Sequence, residues 1–164
     1  MNNTINSGSR IEVMRAEDEW QRAGSYSVRI EGMNREYHIP MREEIDEHDG
    51  PGTKYIVITD DGYPVATCRF FALKEIPEGS MYAGLSKLAM LGRMVVLPEY
   101  RGKGLGEKTM REAERWMREL GFENIGVDSR VSAVGFYEKL GYRIIDPKVI
   151  ISGPFECICM TKKL

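Results

Sequence analysis

The chain is short of cysteine, of long apolar runs and of net charge, and each shortage removes a class of function. Its three cysteines, Cys68, Cys157 and Cys159, form an odd set. Cys157-x-Cys159 has no second pair to complete four zinc ligands, and no even framework of bridges is available. The thiols therefore read as reduced and mostly buried, in a cytoplasmic protein with no metal. No stretch approaches the ~18 uninterrupted apolar residues of a membrane-spanning helix. Met1 to Arg10 is built from Asn, Ser and Gly and has no apolar core of a secretory signal. A formal net charge of −2 gives no global positive field. Neither nucleic acid nor a membrane surface is thus an expected partner.

What is present is enough for one core. With 164 residues and 42% hydrophobic content, the chain fits a single domain over residues 11–164 behind a disordered tail at 1–10. A chain of this size buries roughly 70% of the surface its unfolded form exposes, so no staple is needed.

Hydrophobic spacing predicts the elements. Ile11, Val13 and Met14 open with a strand, and Glu17 to Tyr37 reads as helix with a break at Gly24 and a softer point at Gly32. Pro40 ends it. Arg42 to Gly52 is so charged and turn-rich that it reads as a loop or short helix facing water or substrate. Tyr55 to Ile58 and Pro64 to Phe71 flank Asp60-Asp61-Gly62, a hairpin signal because Asp-Gly tolerates positive φ. A loop follows over Lys74 to Ser86. Leu88 to Leu97 is nearly continuous apolar sequence, which suits a strand buried on both faces. Gly106 to Leu120 has helical spacing and ends at Gly121. Phe122 to Asp128 is a strand, Ser132 caps a helix running to Leu140, and Tyr142 to Ile145 and Glu156 to Thr161 are the last strands. The order β, helix, three β, helix, β, helix, two β predicts an α/β fold: one mixed sheet flanked by helices.

Chemistry concentrates between the buried strand ending at Leu97 and the helix that follows. Arg101-Gly102-Lys103-Gly104-Leu105-Gly106 is a turn built for an anion. Its glycines let backbone approach closely, and the unpaired N–H groups of a helix start face the ligand at the positive end of the dipole. The turn is not a P-loop, because Glu107 rather than Gly precedes Lys108-Thr109. It is not a dinucleotide fingerprint either, because Glu107 or Thr109 stands where the third glycine belongs.

Arg101, Gly104 and Gly106 do fit Arg/Gln-x-x-Gly-x-Gly/Ala, and Ala133-Val134-Gly135-Phe136-Tyr137-Glu138-Lys139-Leu140-Gly141-Tyr142 follows downstream. Together these resemble the two signatures of the GNAT N-acetyltransferases. Upstream, Val28 to Pro40, Glu44 to Asp49 and Asp61 to Arg69 resemble the ElaA-like branch of that superfamily, so the likeness covers about residues 26 to 145.

The resemblance implies a GNAT fold and transfer of acetyl from acetyl-CoA to a primary amine of a small molecule or peptide by direct attack. It implies a V-shaped gap between two strands, with backbone at Met94, Val95 and Val96 along the pantetheine and a strand bulge close by. Arg101, Gly102, Lys103, Gly104, Leu105 and Gly106 would hold the pyrophosphate, and Phe136 would pack beside it. Tyr137 would protonate the leaving thiolate, a group that ordinarily titrates at about 8.5; by periodicity alone it reads as a core aromatic.

Several roles stay open on the residues themselves. The base that takes the amine proton has Glu44, Asp46, Glu47, His48 and Asp128 as candidates. Arg93, a charge inside an apolar strand, pairs with a substrate carboxylate or, more in keeping with burial, with an internal acid. Arg130 stands seven residues before Tyr137, where the family often has a CoA-contacting Asn; it reaches an anion on cofactor or substrate, or only solvent. The acidic Glu43 to Asp49 segment would draw a cationic amine. Two other readings stay open: an acyl-homoserine-lactone-synthase-like acyltransferase, which the N-terminal half resembles but the turn and the Phe136-Tyr137 helix count against, and a catalytically silent acyl-CoA-binding module that keeps the turn. Free strand edges would allow a homodimer.

Overall fold

Lys54–Asp60 (β2) shows why this sheet is covered on both faces. Tyr55 and Val57 point to one side and Ile56 and Ile58 to the other, and all four are at most 3% exposed. Alternation of side chains along a strand sends a continuous apolar run into two cores, so helices must pack above and below. The computed structural model describes residues 8–164 and supplies both layers. The remaining strands are Ile11–Arg15 (β1), Tyr63–Ala72 (β3), Leu88–Val96 (β4), Asn124–Arg130 (β5), Arg143–Ser152 (β6) and Phe155–Lys163 (β7). They form one seven-stranded sheet in the order β1-β2-β3-β4-β5-β7-β6.

One face is covered by Leu105–Glu119 (α3) and Val134–Lys139 (α4). Met110, Ala113 and Met117 of α3 are fully buried against Ile56, Cys68, Phe70 and Ile125. Each buried methionine contributes about 1.5–3 kcal/mol of apolar transfer. The other face is covered by Glu19–Arg29 (α1), which runs on as a π-helical segment over Ile30–Arg35, and by the 73–87 loop. Met41–Glu44 (α2) is one short turn.

The glycines expected to break the first helix do something else. A Cβ on Gly24 would stand 3.0 Å from Pro64 Cγ, and one on Gly32 would stand 2.5 Å from Val95 Cγ1. Both are points where the helix backbone presses on the sheet, and the chain stays helical through them. The Asp61-Gly62 turn matches expectation, with φ of 47° and 82° as a hairpin turn of positive φ requires. Of the expected tail, residues 1–7 lie outside the described residues. The Arg10 carbonyl accepts from the Asp61 amide, the Arg10 amide donates to the Asp61 carboxylate, and the Ser9 hydroxyl donates to Asp60.

Three boundaries differ from expectation for local reasons. The last helix starts at Val134, because Val131–Ala133 forms a 3₁₀ turn and leaves Ser132 no capping role. The strand after α3 begins at Asn124 and runs to Arg130. β6 continues past Ile145 to Ser152, its register with β7 shifting between Ile144 and Val149 around Pro147, which an edge strand tolerates.

Candidate active site

β4 and β5 are the one parallel pair among the described strands, joined by the crossover through α3. They pair only from Leu88–Asn124 to Leu91–Val127 and then part. The cause is visible in the register of β3 on β4: Thr67 faces Val95 and Arg69 faces Gly92, so Arg93 and Met94 together oppose Cys68. This is a β-bulge, which bends its strand away from a neighbour. Arg93 carries the strain with φ of 50°. A bulge beside Met94 is where the resemblance placed one.

Beyond the fork lies a cavity of about 330 Å³ lined by Arg93, Met94, Val95 and Val96 on one side and by Asp128, Arg130, Phe136 and Tyr137 on the other. Gly106 and Arg101 close the end next to the glycine turn. Gly102 and Gly104 have φ of 74° and 78°. Among the described residues nothing accepts from the N–H groups of Gly102 to Gly106, and α3 has no side-chain cap. Five amide donors at the positive end of a fifteen-residue helix are thus free for an anion. Gly106 is fixed by packing: a Cβ there would lie 3.2 Å from Phe136 Cε2.

The expected ligands of the turn divide. Lys103 Nζ sits over the Tyr100 ring at 5.0 Å, and Leu105 is buried with Ile58, Val65 and Ala66, so its side chain is core and only its amide faces the turn. Arg101 turns back, donating from Nε to the Val96 carbonyl at 2.9 Å and pairing with Glu36 at 2.8 Å. That bond holds the Glu36 carboxyl below its ordinary range. Val95 packs its side chain against Val28 and Leu97.

Tyr137 is 6% exposed, and no residue among those described bonds its hydroxyl. Burial holds the phenol above its ordinary range, so it stays protonated at neutral pH. Its ring packs on Phe136 and Tyr142 at 5.1 and 5.5 Å, so it is a core aromatic whose ring also lines the cavity.

The acidic segment, expected as a loop or short helix facing water or substrate, does hold a short helix and meets the cavity at Glu43 and Glu44, but three of its acids are turned inward to arginines rather than to water. The side chains of Glu44 and Asp49 are each 2% exposed. Arg29, fully buried, donates from Nε to Glu44 at 2.9 Å and from both Nη atoms to Asp49 at 2.8 and 2.9 Å. Arg69 bridges Asp46 and Asp49 at 2.8 and 2.5 Å. Arg93 reaches Asp46 at 3.0 Å and the carbonyls of Glu43 and Glu44 at 3.1 and 3.2 Å, so its partner is internal. Three acids face three arginines. Burial pushes the Asp46 and Asp49 carboxyls up, and the guanidinium hydrogen bonds outweigh it and hold both low. Glu44 and Asp46 are therefore committed as arginine partners. Glu47 is 83% exposed, and His48 stacks on Phe71 at 4.3 Å.

Asp128 is the one candidate base that lines the cavity without an arginine partner. It is the first residue of β5 past the fork, and its Oδ1 accepts from the Tyr82 hydroxyl at 2.6 Å and from the Cys159 thiol at 3.4 Å. Burial, and then the Asp128 charge, raise the Tyr82 phenol well above its ordinary range, so it remains a donor. Sequence reasoning passed over Tyr82 because it sits in an irregular segment with no period. Tyr37 and Phe155, whose rings hold Arg130 at 5.1 and 4.6 Å, were missed because their meeting is tertiary, one at the end of the first helical segment and the other at the start of β7.

Comparison with known proteins agrees with this geometry. Residues 14–142 match the acetyltransferase (GNAT) family. An uncharacterized acetyltransferase of Streptococcus pyogenes serotype M3 is 32% identical over 124 residues, 76% of this chain and 79% of that one. A putative N-acetyltransferase from Lactobacillus plantarum superposes with a TM-score of 0.78 at 24% identity, covering 94% and 98% of the two chains. Escherichia coli ElaA does so with a TM-score of 0.75 at 17% identity, covering 93% and 99%. At such identities the two solved structures speak to the fold.

Proposed function

We propose that this chain, which belongs to the acetyltransferase (GNAT) family, moves the acetyl group of acetyl-CoA onto a primary amine by direct attack. The observation that carries the proposal is the forked cavity, with free amides at one end and Tyr137, whose hydroxyl has no partner among the described residues, in its lining. The fit to acetyl-CoA is chemical. The amides of Gly102 to Gly106 suit a pyrophosphate, the bulged edge of β4 at Met94 to Val96 suits the amide-bearing pantetheine arm, and Phe136 and Gly106 form a wall beside it.

In this reading each residue has a defined task. Asp128, steadied by Tyr82, accepts the proton that the amine must lose as its nitrogen bonds the acetyl carbon. The carbon–sulfur bond breaks as that bond forms, and Tyr137 gives its phenolic proton to the leaving sulfur and regains one from solvent. Phe136, Tyr137 and Val127 give the cavity an apolar side beside Asp128.

Two measurements test it. Calorimetry with coenzyme A should report binding, and thiol release from acetyl-CoA should rise on adding amines from a panel of amino acids, polyamines, aminoglycosides and peptides. No affinity for coenzyme A would sink the proposal. Binding without any amine-dependent release would leave a silent acyl-CoA-binding module.

A further inference from the structure

The acidic segment was the sequence's hint of a cationic acceptor, and the structure removes it. Glu44, Asp46 and Asp49 are each neutralised by Arg29, Arg69 or Arg93, so little negative field is left to draw a polycation. The cavity-lining charges still free to meet a ligand are Glu43 of that segment and Asp128 and Arg130 on β5, and among them Arg130 is the one cation.

Asp128 and Arg130 are two residues apart on that strand, so both project from the same face, with buried Ser129 turned to the other. Both line the cavity. Strand geometry sets them about 6.6 Å apart along the chain. They do not pair with each other, and among the described residues Arg130 has no carboxylate partner, unlike the three arginines of the acidic segment. Its guanidinium is nonetheless fixed. The Tyr37 and Phe155 rings, themselves edge to face at 5.0 Å, hold it from the end of the first helical segment and from the first residue of β7. A half-buried cation held in place by aromatic rings, with the Glu36 carboxylate near enough to feel its charge but bonded to Arg101 instead, keeps its own donors free for an anion that a ligand supplies. Asp128 is fixed in the complementary way: Oδ1 is occupied by Tyr82 and Cys159, and Oδ2 is open.

We infer that the acceptor is an amino acid or a similar amino carboxylate, its ammonium on Asp128 and its carboxylate on Arg130. This rests on the acetyltransferase reading above and narrows its amine to one that carries its own anion. A simple polyamine meets Arg130 as a repulsion, and an amino-acid amide leaves the guanidinium unpaired.

The test compares α-amino acids and short ω-amino carboxylates with their carboxamides in acetyl-CoA thiol release, using the full chain, and measures coenzyme A affinity separately. For the wild type, kcat/KM should favour carboxylates over the matched amides by roughly 10- to 100-fold, the range of a charge-assisted bidentate contact. Arg130→Met should erase that preference by raising KM for the carboxylates, leave the amides where they were and leave coenzyme A affinity unchanged. Arg130→Lys, which keeps the charge and loses the fork, should restore part of the preference.

Equal turnover of amides or polyamines by the wild type would overturn the inference, as would coenzyme A binding with no amino carboxylate acetylated. Loss of coenzyme A affinity in Arg130→Met with the acceptor preference intact would also overturn it, by assigning Arg130 to the coenzyme. These wild-type arms need no variant to fold. A wild type that does not bind coenzyme A at all would instead defeat the underlying acetyltransferase reading.

Discussion

Asp49→Asn removes one negative charge from the buried cluster at almost constant volume, and its cost follows from what Asp49 holds. Its carboxylate accepts from Arg29 Nη1 and Nη2, Arg69 Nη1, the Tyr55 hydroxyl at 3.0 Å and the Asp46 amide at 3.1 Å. With asparagine there, three arginines face two acids, and fully buried Arg29 keeps only Glu44. Breaking a buried pair from one side costs about 3–5 kcal/mol, because the remaining charge stays desolvated. Against a total stability of roughly 5–15 kcal/mol that is a large share. It corresponds to a fall of about 6–20 °C in Tm for a chain of this length. The assay is urea unfolding followed by tryptophan fluorescence, with Glu107→Gln as the control. Glu107 pairs with Arg111 at 2.6 Å but both are more than half exposed, so its loss should stay within about 0.5 kcal/mol. The pH dependence fixes the mechanism. A carboxyl held low in the folded state adds stability above its unfolded value of about 3.9 and loses it as pH falls through the folded value. The gap between wild type and Asp49→Asn should therefore be full at neutral pH and narrow in acid. A loss below about 1 kcal/mol at pH 7, or a gap that does not change with pH, would refute the reasoning.

Tyr137→Phe should keep coenzyme A affinity and lower kcat by up to ~10², as removal of a general acid does; unchanged turnover would leave Tyr137 a core aromatic. Gly104→Ala has open space for its methyl but a φ of 78°, so stopped-flow or equilibrium unfolding should show a cost of about 1–2 kcal/mol from backbone alone, with weaker coenzyme A binding in calorimetry. Burial pushes the Cys68 thiol up to about 12, and burial followed by the Asp128 charge pushes Cys159 up to about 11, so Ellman's reagent at pH 8 should find neither thiol reactive until urea is added. Rapid labelling of either in the folded protein would contradict that burial.

The hairpin, the amphipathic α3 and the doubly buried strands were legible because each is written locally, in a turn dipeptide or a period. The buried ion cluster was not, because its halves are far apart in the chain. Glu44, Asp46 and Asp49 read as a wet loop by charge density, and the arginines that take them inside lie on α1, β3 and β4. A clue was present all the same. Arg69 and Arg93 both stand in strands whose neighbours are apolar, so each needed a buried acid, and the Glu43 to Asp49 run was one place to look for it. The glycines failed as helix breakers for a related reason. Gly24 and Gly32 mark close approach to Pro64 and Val95, a tertiary fact that propensity cannot carry.

The glycine turn, the most readable part of the site, specifies an anion at a helix N-terminus and cannot by itself specify a fork. The fork depends on β4 leaving β5 after Leu91, and β4 leaves because the bulge at Arg93 and Met94 bends it. A left-handed arginine costs on the order of 1–3 kcal/mol unless its surroundings fix it. Here they do: its guanidinium is held by two carbonyls and a carboxylate of the acidic segment, which Arg29 and Arg69 in turn hold down. The cluster that sequence reading placed in water is thus what keeps the two strands apart. Substitutions in it should change the cavity without touching any residue of the glycine turn or Tyr137. In a protein that remains folded, Asp46→Asn should accordingly weaken coenzyme A binding although Asp46 lies outside the cavity lining, whereas unaltered affinity would show that the bulge holds without its acid.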